Sequence, residues 1–232
     1  MTNTGGTITS QVSVNQAAGL SIVSYTGTAT NVTVGHGLNA VPKFIIIKGR
    51  NATANPWIIA HDYGAFNWAT DYFRFDTTAK STDGASLVFR AAPTSTGFSL
   101  GGAQSVNENN KTFIAYVFAE VPGFSKFGSY TGNGSTDGPF VYTGFRPRWV
   151  MVKLSSTTGS WYIGDSARDA YNIVGNILLA DSSNTETTGN AWIDFTSNGF
   201  KLKYGGGSVN ANSQTHIYAA FAEAPFKYAN AR

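Results

Sequence analysis

The chain carries the same set of short motifs twice, in the same order and at a nearly constant spacing. Ser-Tyr-Thr-Gly occupies residues 24–27 and returns at 129–132. A run that begins with Pro and ends with Lys occupies 42–48 and returns 105 positions later at 147–153. Three further pairs match, namely 57–59 with 161–163, 95–100 with 197–202, and 114–122 with 217–225. A period of about 100 residues is the size of one small domain and too long for a solenoid repeat, so the duplication predicts two tandem domains.

The repeat boundaries divide the chain into three segments. We predict domain one at residues 20–123 and domain two at 124–232. Residues 1–19 belong to neither copy, and residues 7–14 alternate polar with apolar side chains. That pattern is typical either of an added strand or of an arm that docks on another protein.

Composition favours β structure in both domains. The chain has 26 Gly, 14% aromatic residues and only 12% charged residues, whereas long amphipathic helices need more charge. Turn signals such as Asp83-Gly84 and Asn198-Gly199 recur every 8 to 12 residues, which is typical of an antiparallel sandwich or barrel. We therefore predict an all-β fold of two tandem antiparallel β-sandwich domains, jelly-roll-like and related by the internal repeat.

Several runs can be assigned to individual elements. Residues 44–47 and 149–152 are continuous and apolar, which predicts strands buried on both faces. Residues 113–119 and 217–222 favour strands over helices because they are aromatic and lie just before a proline. Alternating half-buried strands are predicted at 98–100 and 200–203. Helical turns are considered only at 65–72 and 166–171.

Charge, cysteine content and hydropathy argue against several classes of partner. The net charge of +3 comes from scattered basic residues, so we predict no nucleic-acid binding. With no Cys, neither disulfides nor thiolate zinc sites are available. No run of 18 apolar residues and no signal peptide is present, which predicts no membrane insertion. We expect no cofactor and no metal site.

Catalytic groupings are sparse, and we predict no catalytic residue. His36, His61 and His216 are not spaced as metal ligands. Glu120 and Glu223 occupy equivalent places in the two copies, which invites comparison with the carboxylate pair of a glycosidase. A residue repeated in two separate domains more simply does one structural job twice, such as ending a strand with a hydrogen bond to a neighbouring loop.

A glycan-binding loop is the alternative that the unshared residues suggest. Residues 61–73 contain five aromatic residues together with Asp and Asn, a mixture that suits sugars because rings stack on C–H faces while polar groups hold hydroxyls. The other interpretation is that Phe66 and Tyr72 pack into the core and Trp68 covers a sheet edge. The candidate ligand-binding residues are Asp62, Tyr63, Asn67, Trp68, Asp71 and Tyr72.

The motifs as a set, over residues 19–232, resemble modules repeated near the ends of tail-fibre-like and other virion appendage proteins of phages, especially marine ones. The resemblance rests on residues 19–27, 34–38, 42–48 and 118–122 in copy one. In copy two it rests on residues 147–153, 197–200 and 221–227. It implies a non-enzymatic structural or receptor-binding part of a virion.

The resulting prediction is a phage structural protein, a fibre, spike or decoration subunit that is localised in the virion and presents loops for host adhesion. Its predicted partners are other virion proteins, contacted through residues 1–19, a host cell-surface glycan, and further copies of itself, with a trimer as the expected oligomer. The alternatives are a stand-alone carbohydrate-binding β-sandwich module and, third, a glycan-degrading enzyme.

Overall fold

The computed structural model describes residues 1–79, 82–83 and 87–223 and divides the chain into two compact units. Unit 1 comprises Met1–Phe75 and Ser81–Glu120, and unit 2 comprises Asp76–Lys80 and Val121–Arg232. The division predicted from the repeats kept residues 1–19 outside both domains, whereas the structure includes them in unit 1. The same division assigned residues 76–79 to domain one, whereas the structure includes them in unit 2. Both units are built from paired antiparallel sheets, which confirms the predicted all-β sandwich class.

Unit 1 packs a two-stranded sheet against an eight-stranded one. Its strands are β1 Thr2–Asn3, β2 Ser10–Asn15, β3 Leu20–Thr26, β4 Val32–Gly35, β5 Pro42–Gly49, β6 Trp57–His61, β7 Asp71–Arg74, β8 Thr82–Asp83, β9 Gly97–Leu100 and β10 Thr112–Ala119. The large sheet has the order β1-β2-β3-β10-β5-β6-β7-β8, and β4 pairs with β9. Tyr25, Phe98 and Phe113 meet in the core between these sheets.

The N-terminal segment is an added strand of unit 1. β2 pairs antiparallel with β3 along all six of its residues, from Ser10 opposite Tyr25 to Asn15 opposite Leu20. Val12 is buried, and the Ser10 hydroxyl donates to the Gly35 carbonyl oxygen at 2.7 Å. Of the two roles left open for residues 1–19, the structure shows the strand. Docking of this segment on another protein stays a prediction.

Unit 2 repeats the scheme with a five-stranded and a three-stranded sheet. Its strands are β11 Ser125–Thr131, β12 Phe140–Tyr142, β13 Pro147–Leu154, β14 Trp161–Asp165, β15 Leu178–Leu179, β16 Ile193–Thr196, β17 Gly199–Leu202 and β18 Thr215–Ala222. The sheet orders are β11-β18-β13-β14-β15 and β12-β17-β16. Trp192, Phe195, Phe200 and Tyr218 are among the large side chains of its core.

The central strands are the ones that the apolar runs predicted. β5 lies between β10 and β6, and β13 lies between β18 and β14. Ile45 and Ile47 are fully buried in β5, as are Val150 and Val152 in β13. β10 and β18 are strands, not helices, and Phe98 and Leu100 point inward from β9 with the half-buried Ser99 between them. These predictions are confirmed.

The segments 65–72 and 166–171, where one or two helical turns were considered, form no extended helix and contain one hydrogen-bonded turn each, in which Asp71 N–H donates to the Asn67 carbonyl oxygen at 2.7 Å and Asp169 N–H to that of Asp165 at 3.3 Å. The helices are single turns elsewhere, α1 Gln104–Asn107 and α2 Gly207–Asn210. Both end in the tripeptide Ser-Val-Asn, a further repeat that the sequence analysis missed. The side chains of Asn107 and Asn210 are fully buried.

These single turns explain why Ser-Tyr-Thr-Gly is repeated. The Tyr25 hydroxyl donates to the Val106 carbonyl oxygen at 2.6 Å, and in unit 2 Tyr130 donates to Val209 at 2.5 Å. A Cβ added to Gly27 would lie 2.3 Å from the Glu108 carbonyl oxygen, so only glycine allows this close backbone approach. The motif therefore joins the first long strand of each unit to the buried asparagine turn.

Candidate functional site

The residues proposed as a glycan loop are engaged mainly with one another. The Asp62 carboxylate forms an ion pair with Lys43 at 2.6 Å and accepts a hydrogen bond from the Gly64 backbone N–H at 3.3 Å. The Tyr63 ring packs against Phe66, with 6.2 Å between ring centroids. Burial raises the pKa of the Tyr63 hydroxyl, and the nearby Asp71 carboxylate raises it further.

The second half of this segment is also held by contacts among its own residues. Asp71 accepts from the Asn67 backbone N–H at 3.0 Å and from the Thr70 hydroxyl, while the Asn67 side-chain oxygen accepts from Ala69. Trp68 is only 8% exposed and lies edge-on to Phe66 at 5.0 Å. Tyr72 lies in β7, paired with Thr82. Trp68 thus offers almost no ring surface to a sugar, and glycan binding by the other five residues stays a prediction.

His36 has a structural role in a turn of unit 1. Its Nε2 bonds to the Thr94 carbonyl oxygen at 3.1 Å, and its Nδ1 accepts from the Leu38 backbone N–H at 3.2 Å. Burial lowers its pKa, partly offset by the hydrogen bond to Thr94. Thr143 forms the counterpart in unit 2, where its hydroxyl oxygen accepts from the Phe145 backbone N–H at 3.4 Å.

His61 and His216 are also buried. His61 lies in β6 against the edge of Phe44, and its counterpart in unit 2 is Asp165 at the end of β14. The His216 ring stacks on Tyr130 with 5.0 Å between centroids and an angle of 7° between the ring planes. Each histidine is thus part of the packing of its unit.

Glu223 has the structural role suggested for the repeated glutamates. It follows β18 directly, its carboxylate binds the Arg146 guanidinium at 2.7 Å, and its backbone N–H donates to the Arg146 carbonyl oxygen at 2.9 Å. Glu120 occupies the same place after β10 in unit 1. The hydrogen bond to the loop before β13 therefore ends the last strand of unit 2.

Unit 2 contains a pocket of about 220 Å³ that the sequence analysis did not find. Three aromatic side chains line it: Tyr162 from β14, Trp192 just before β16, and Tyr204 from the loop after β17. The Tyr162 and Trp192 rings lie 6.0 Å apart, and Tyr204 is 48% exposed. The pocket therefore has an aromatic floor and an aromatic side chain that reaches solvent.

Polar groups complete the lining. Asn190 and Thr187 are exposed, and Ser208 lies in α2. Ser208 hydrogen-bonds the Tyr162 side chain, which opposes the larger effect of burial, and the pKa of Tyr162 is raised overall. The Trp192 indole Nε1 is buried and has no hydrogen-bond partner within the described residues.

The aromatic lining is specific to unit 2. Gly101 and Lys203 donate to Val88 and Trp192 through equivalent backbone hydrogen bonds, so Val88 occupies the place of Trp192 in unit 1. By the register of β6 and β14, Ile58 corresponds to Tyr162. The loop before α1 is Gly-Gly-Ala at 101–103, so unit 1 has no aromatic residue in the place of Tyr204. The two copies have thus diverged at this surface. In the sequence, the one hint of a pocket at this place is the run of three glycines at 205–207, before Ser208 of α2.

Among residues 1–79, 82–83 and 87–223, no cluster of three His, Asp or Glu side chains could hold a metal ion. The same part of the chain has no helix with the length and hydropathy needed to span a membrane.

The sequence of the chain matches a known protein family. The chain matches DUF7483, a domain of unknown function, over residues 1–225, which takes in both units. The chain belongs to the DUF7483 family. No curated protein matches it. Among solved structures, the crystal structure of the STIV MCP is similar at 11% identity, covering 92% of this chain and 95% of that one, with a TM-score of 0.21. That TM-score is too low to indicate a shared fold.

Proposed function

We propose that the protein is a non-enzymatic structural subunit of a phage virion, part of a fibre, spike or decoration, which binds a host-surface glycan through the pocket of unit 2. The virion assignment is supported by the resemblance of the tandem motifs to phage appendage modules. The glycan assignment is carried by one observation, which is that the 48% exposed Tyr204 lines one cavity together with the exposed polar side chains of Thr187 and Asn190.

The pocket lining suits the two chemical faces of a sugar. The C–H face of a pyranose ring packs against an exposed aromatic ring, which Tyr204 provides. Sugar hydroxyls can bond to the exposed side chains of Asn190 and Thr187, which line the pocket. The volume lies below the roughly 300–1,000 Å³ typical of drug-sized ligands. We therefore expect recognition of one terminal sugar residue of a longer chain.

Weak binding at such a site is sufficient on a particle. A pocket that holds one sugar residue gives modest affinity, but many copies on one surface bind in parallel and multiply the overall affinity. This makes glycan adhesion compatible with a structural subunit whose individual sites are small.

Substitution of Tyr204 tests the pocket. We expect Tyr204→Ala to weaken binding to a microarray of bacterial lipopolysaccharides and capsular polysaccharides by about twofold to tenfold, because a stacking contact is worth about 0.5–1.5 kcal/mol. The fold should be unaffected, since Asn210 contacts only the Tyr204 backbone carbonyl. Tyr171→Ala is the matched control, because Tyr171 is 86% exposed in the same unit and lies outside the pocket lining. Equal losses in both variants would contradict the pocket assignment.

Particle labelling separates the proposal from its alternatives. Antibodies raised against the purified chain should label intact phage particles in immunogold electron microscopy. Glycan binding without particle labelling would favour a stand-alone carbohydrate-binding module. Release of reducing ends from a bound polysaccharide would instead favour an enzyme.

A further inference from the structure

A buried lysine in unit 2 is held by backbone carbonyls and an aromatic ring. The Lys153 ammonium donates to the carbonyl oxygens of Leu154 and Gly159, each at 2.8 Å, and to Thr78 at 3.2 Å. It lies 5.9 Å from the centre of the Trp161 ring, within reach of a cation–π interaction. Burial of this side chain lowers its pKa to about 8, an effect that the Asp181 carboxylate partly offsets.

The third carbonyl comes from the segment Asp76–Lys80, which follows β7 in the chain and folds as part of unit 2. Thr78 accepts not only from Lys153 but also from the Gly159 backbone N–H at 2.9 Å. One peptide carbonyl therefore receives two hydrogen bonds at the turn between β13 and β14. The ligand of this lysine–tryptophan site is a main-chain segment.

Unit 1 contains the same site in an open state. Lys48 pairs with Trp57 across β5 and β6 as Lys153 pairs with Trp161 across β13 and β14. The Lys48 ammonium donates to the Asn55 carbonyl oxygen at 2.5 Å and lies 5.1 Å from the centre of the Trp57 ring. Trp57 is 37% exposed, whereas Trp161 is 1% exposed. The Trp57 ring thus lacks the cover that Trp161 has.

Unit 2 carries the counterpart of the covering segment. Phe75 donates to the Trp57 carbonyl oxygen at 3.1 Å, and Ala180 donates to Trp161 at the same distance, so the two chain positions correspond. The next residues are Asp-Thr-Thr at 76–78 and Asp-Ser-Ser at 181–183, which match in chemistry. Ser183 is exposed. The described part of the chain therefore contains a covered lysine–tryptophan site at Lys153, an open one at Lys48, and a second segment of the covering type at 181–183.

We infer that copies of this chain associate head to tail, with residues 181–183 of one copy covering the Lys48–Trp57 site of the next. The Ser183 carbonyl would accept from Lys48 as the Thr78 carbonyl accepts from Lys153. The occupant is a second copy because the matching segment belongs to the chain itself. Such a contact joins two different surfaces, so it builds a closed ring or a filament. The association is independent of the proposed glycan site.

The oligomeric state of the full chain tests this inference. Light scattering across a concentration series should show the mass of the wild-type chain rising with concentration. Trp57→Ala removes the ring that is covered, and Ser183→Arg places a cation against Lys48, so each should lower the association constant at least about tenfold. Val41→Ala is the control for unit 1, because Val41 is exposed and lies away from the site. Circular dichroism should show that all variants remain folded.

A mixing experiment identifies the head-to-tail geometry. Trp57→Ala keeps an intact covering segment, and Ser183→Arg keeps an intact open site, so an equimolar mixture should form dimers and nothing larger. An isologous interface would not show this complementation and would overturn the inference. A wild-type chain that stays monomeric up to its solubility limit would also overturn it and would leave the Lys48 site to another partner.

Discussion

Replacing Asn107 or Asn210 with alanine is expected to lower the free energy of unfolding of the affected unit by about 3 to 5 kcal/mol. The Asn107 side chain accepts from the Thr28 backbone N–H at 2.8 Å and donates to the carbonyl oxygens of Thr30 and Gly101 at 2.6 and 2.8 Å. Alanine leaves all three backbone groups unpaired, and each such group costs about 1–3 kcal/mol when buried. Asn210 has the same contacts in unit 2, so the loss should be similar there.

Urea denaturation followed by near-ultraviolet circular dichroism measures this loss. Asn109→Ala is the matched control, since Asn109 is exposed two positions away in the same loop. Asn107→Asp is a second test. It keeps the acceptor for the Thr28 backbone N–H, but it replaces the amide N–H donors by a carboxylate oxygen that faces the carbonyl oxygens of Thr30 and Gly101 and is repelled by them. It should destabilise unit 1 as much as alanine does. If Asn107→Ala lowers the free energy of unfolding no more than Asn109→Ala does, the buried asparagine turn does not stabilise unit 1.

The sequence predicted those parts of the fold that depend on local hydrophobic patterning. The runs at 44–47 and 149–152 are apolar at consecutive positions, which suits strands covered on both faces, and the structure buries all of these residues except the half-buried Ile46 and Trp149. The repeat strengthened each assignment, because equivalent motifs in the two copies are expected to form the same secondary-structure element. The asparagine turns gave no periodic signal, since four residues are too few for a helical period, and their repeated Ser-Val-Asn does not show that the Asn side chain is buried.

The rest of the fold depends on contacts between residues that are distant in the chain. Lys153 closes a predicted strand, and nothing near it shows that Thr78 covers its ammonium. The pocket likewise combines Tyr162, Trp192 and Tyr204, which lie in three different segments of the chain and meet only when β14, the start of β16 and the loop before α2 converge. The aromatic segment at 61–73 was conspicuous because it is continuous, but continuity in sequence also suits a segment that packs on itself.

Replacing His216 with phenylalanine is expected to remove much of the acid sensitivity of unit 2. Burial, and to a lesser degree the nearby Lys153 ammonium, lower the pKa of His216 to about 4 despite its hydrogen bond to the Gln214 carbonyl oxygen. The unfolded chain, with a pKa near 6.5, therefore binds more protons than the folded chain between about pH 6.5 and 4. Stability is lost as the pH falls through that window and stays lower below it, by about 2 to 3 kcal/mol for this one group.

Unit 1 shows that phenylalanine fits, because Phe113 stacks on Tyr25 as His216 stacks on Tyr130. Phenylalanine also removes the buried Nε2, which has no partner in the described part of the chain. The Gln214 carbonyl oxygen keeps its hydrogen bond from the Gly132 backbone N–H, so little is lost at neutral pH. Urea denaturation at pH 7 and pH 4 should show a smaller acid loss for His216→Phe than for the wild type. The reciprocal Phe113→His should give unit 1 a new acid loss, whereas equal pH dependence in all three proteins would refute the assignment.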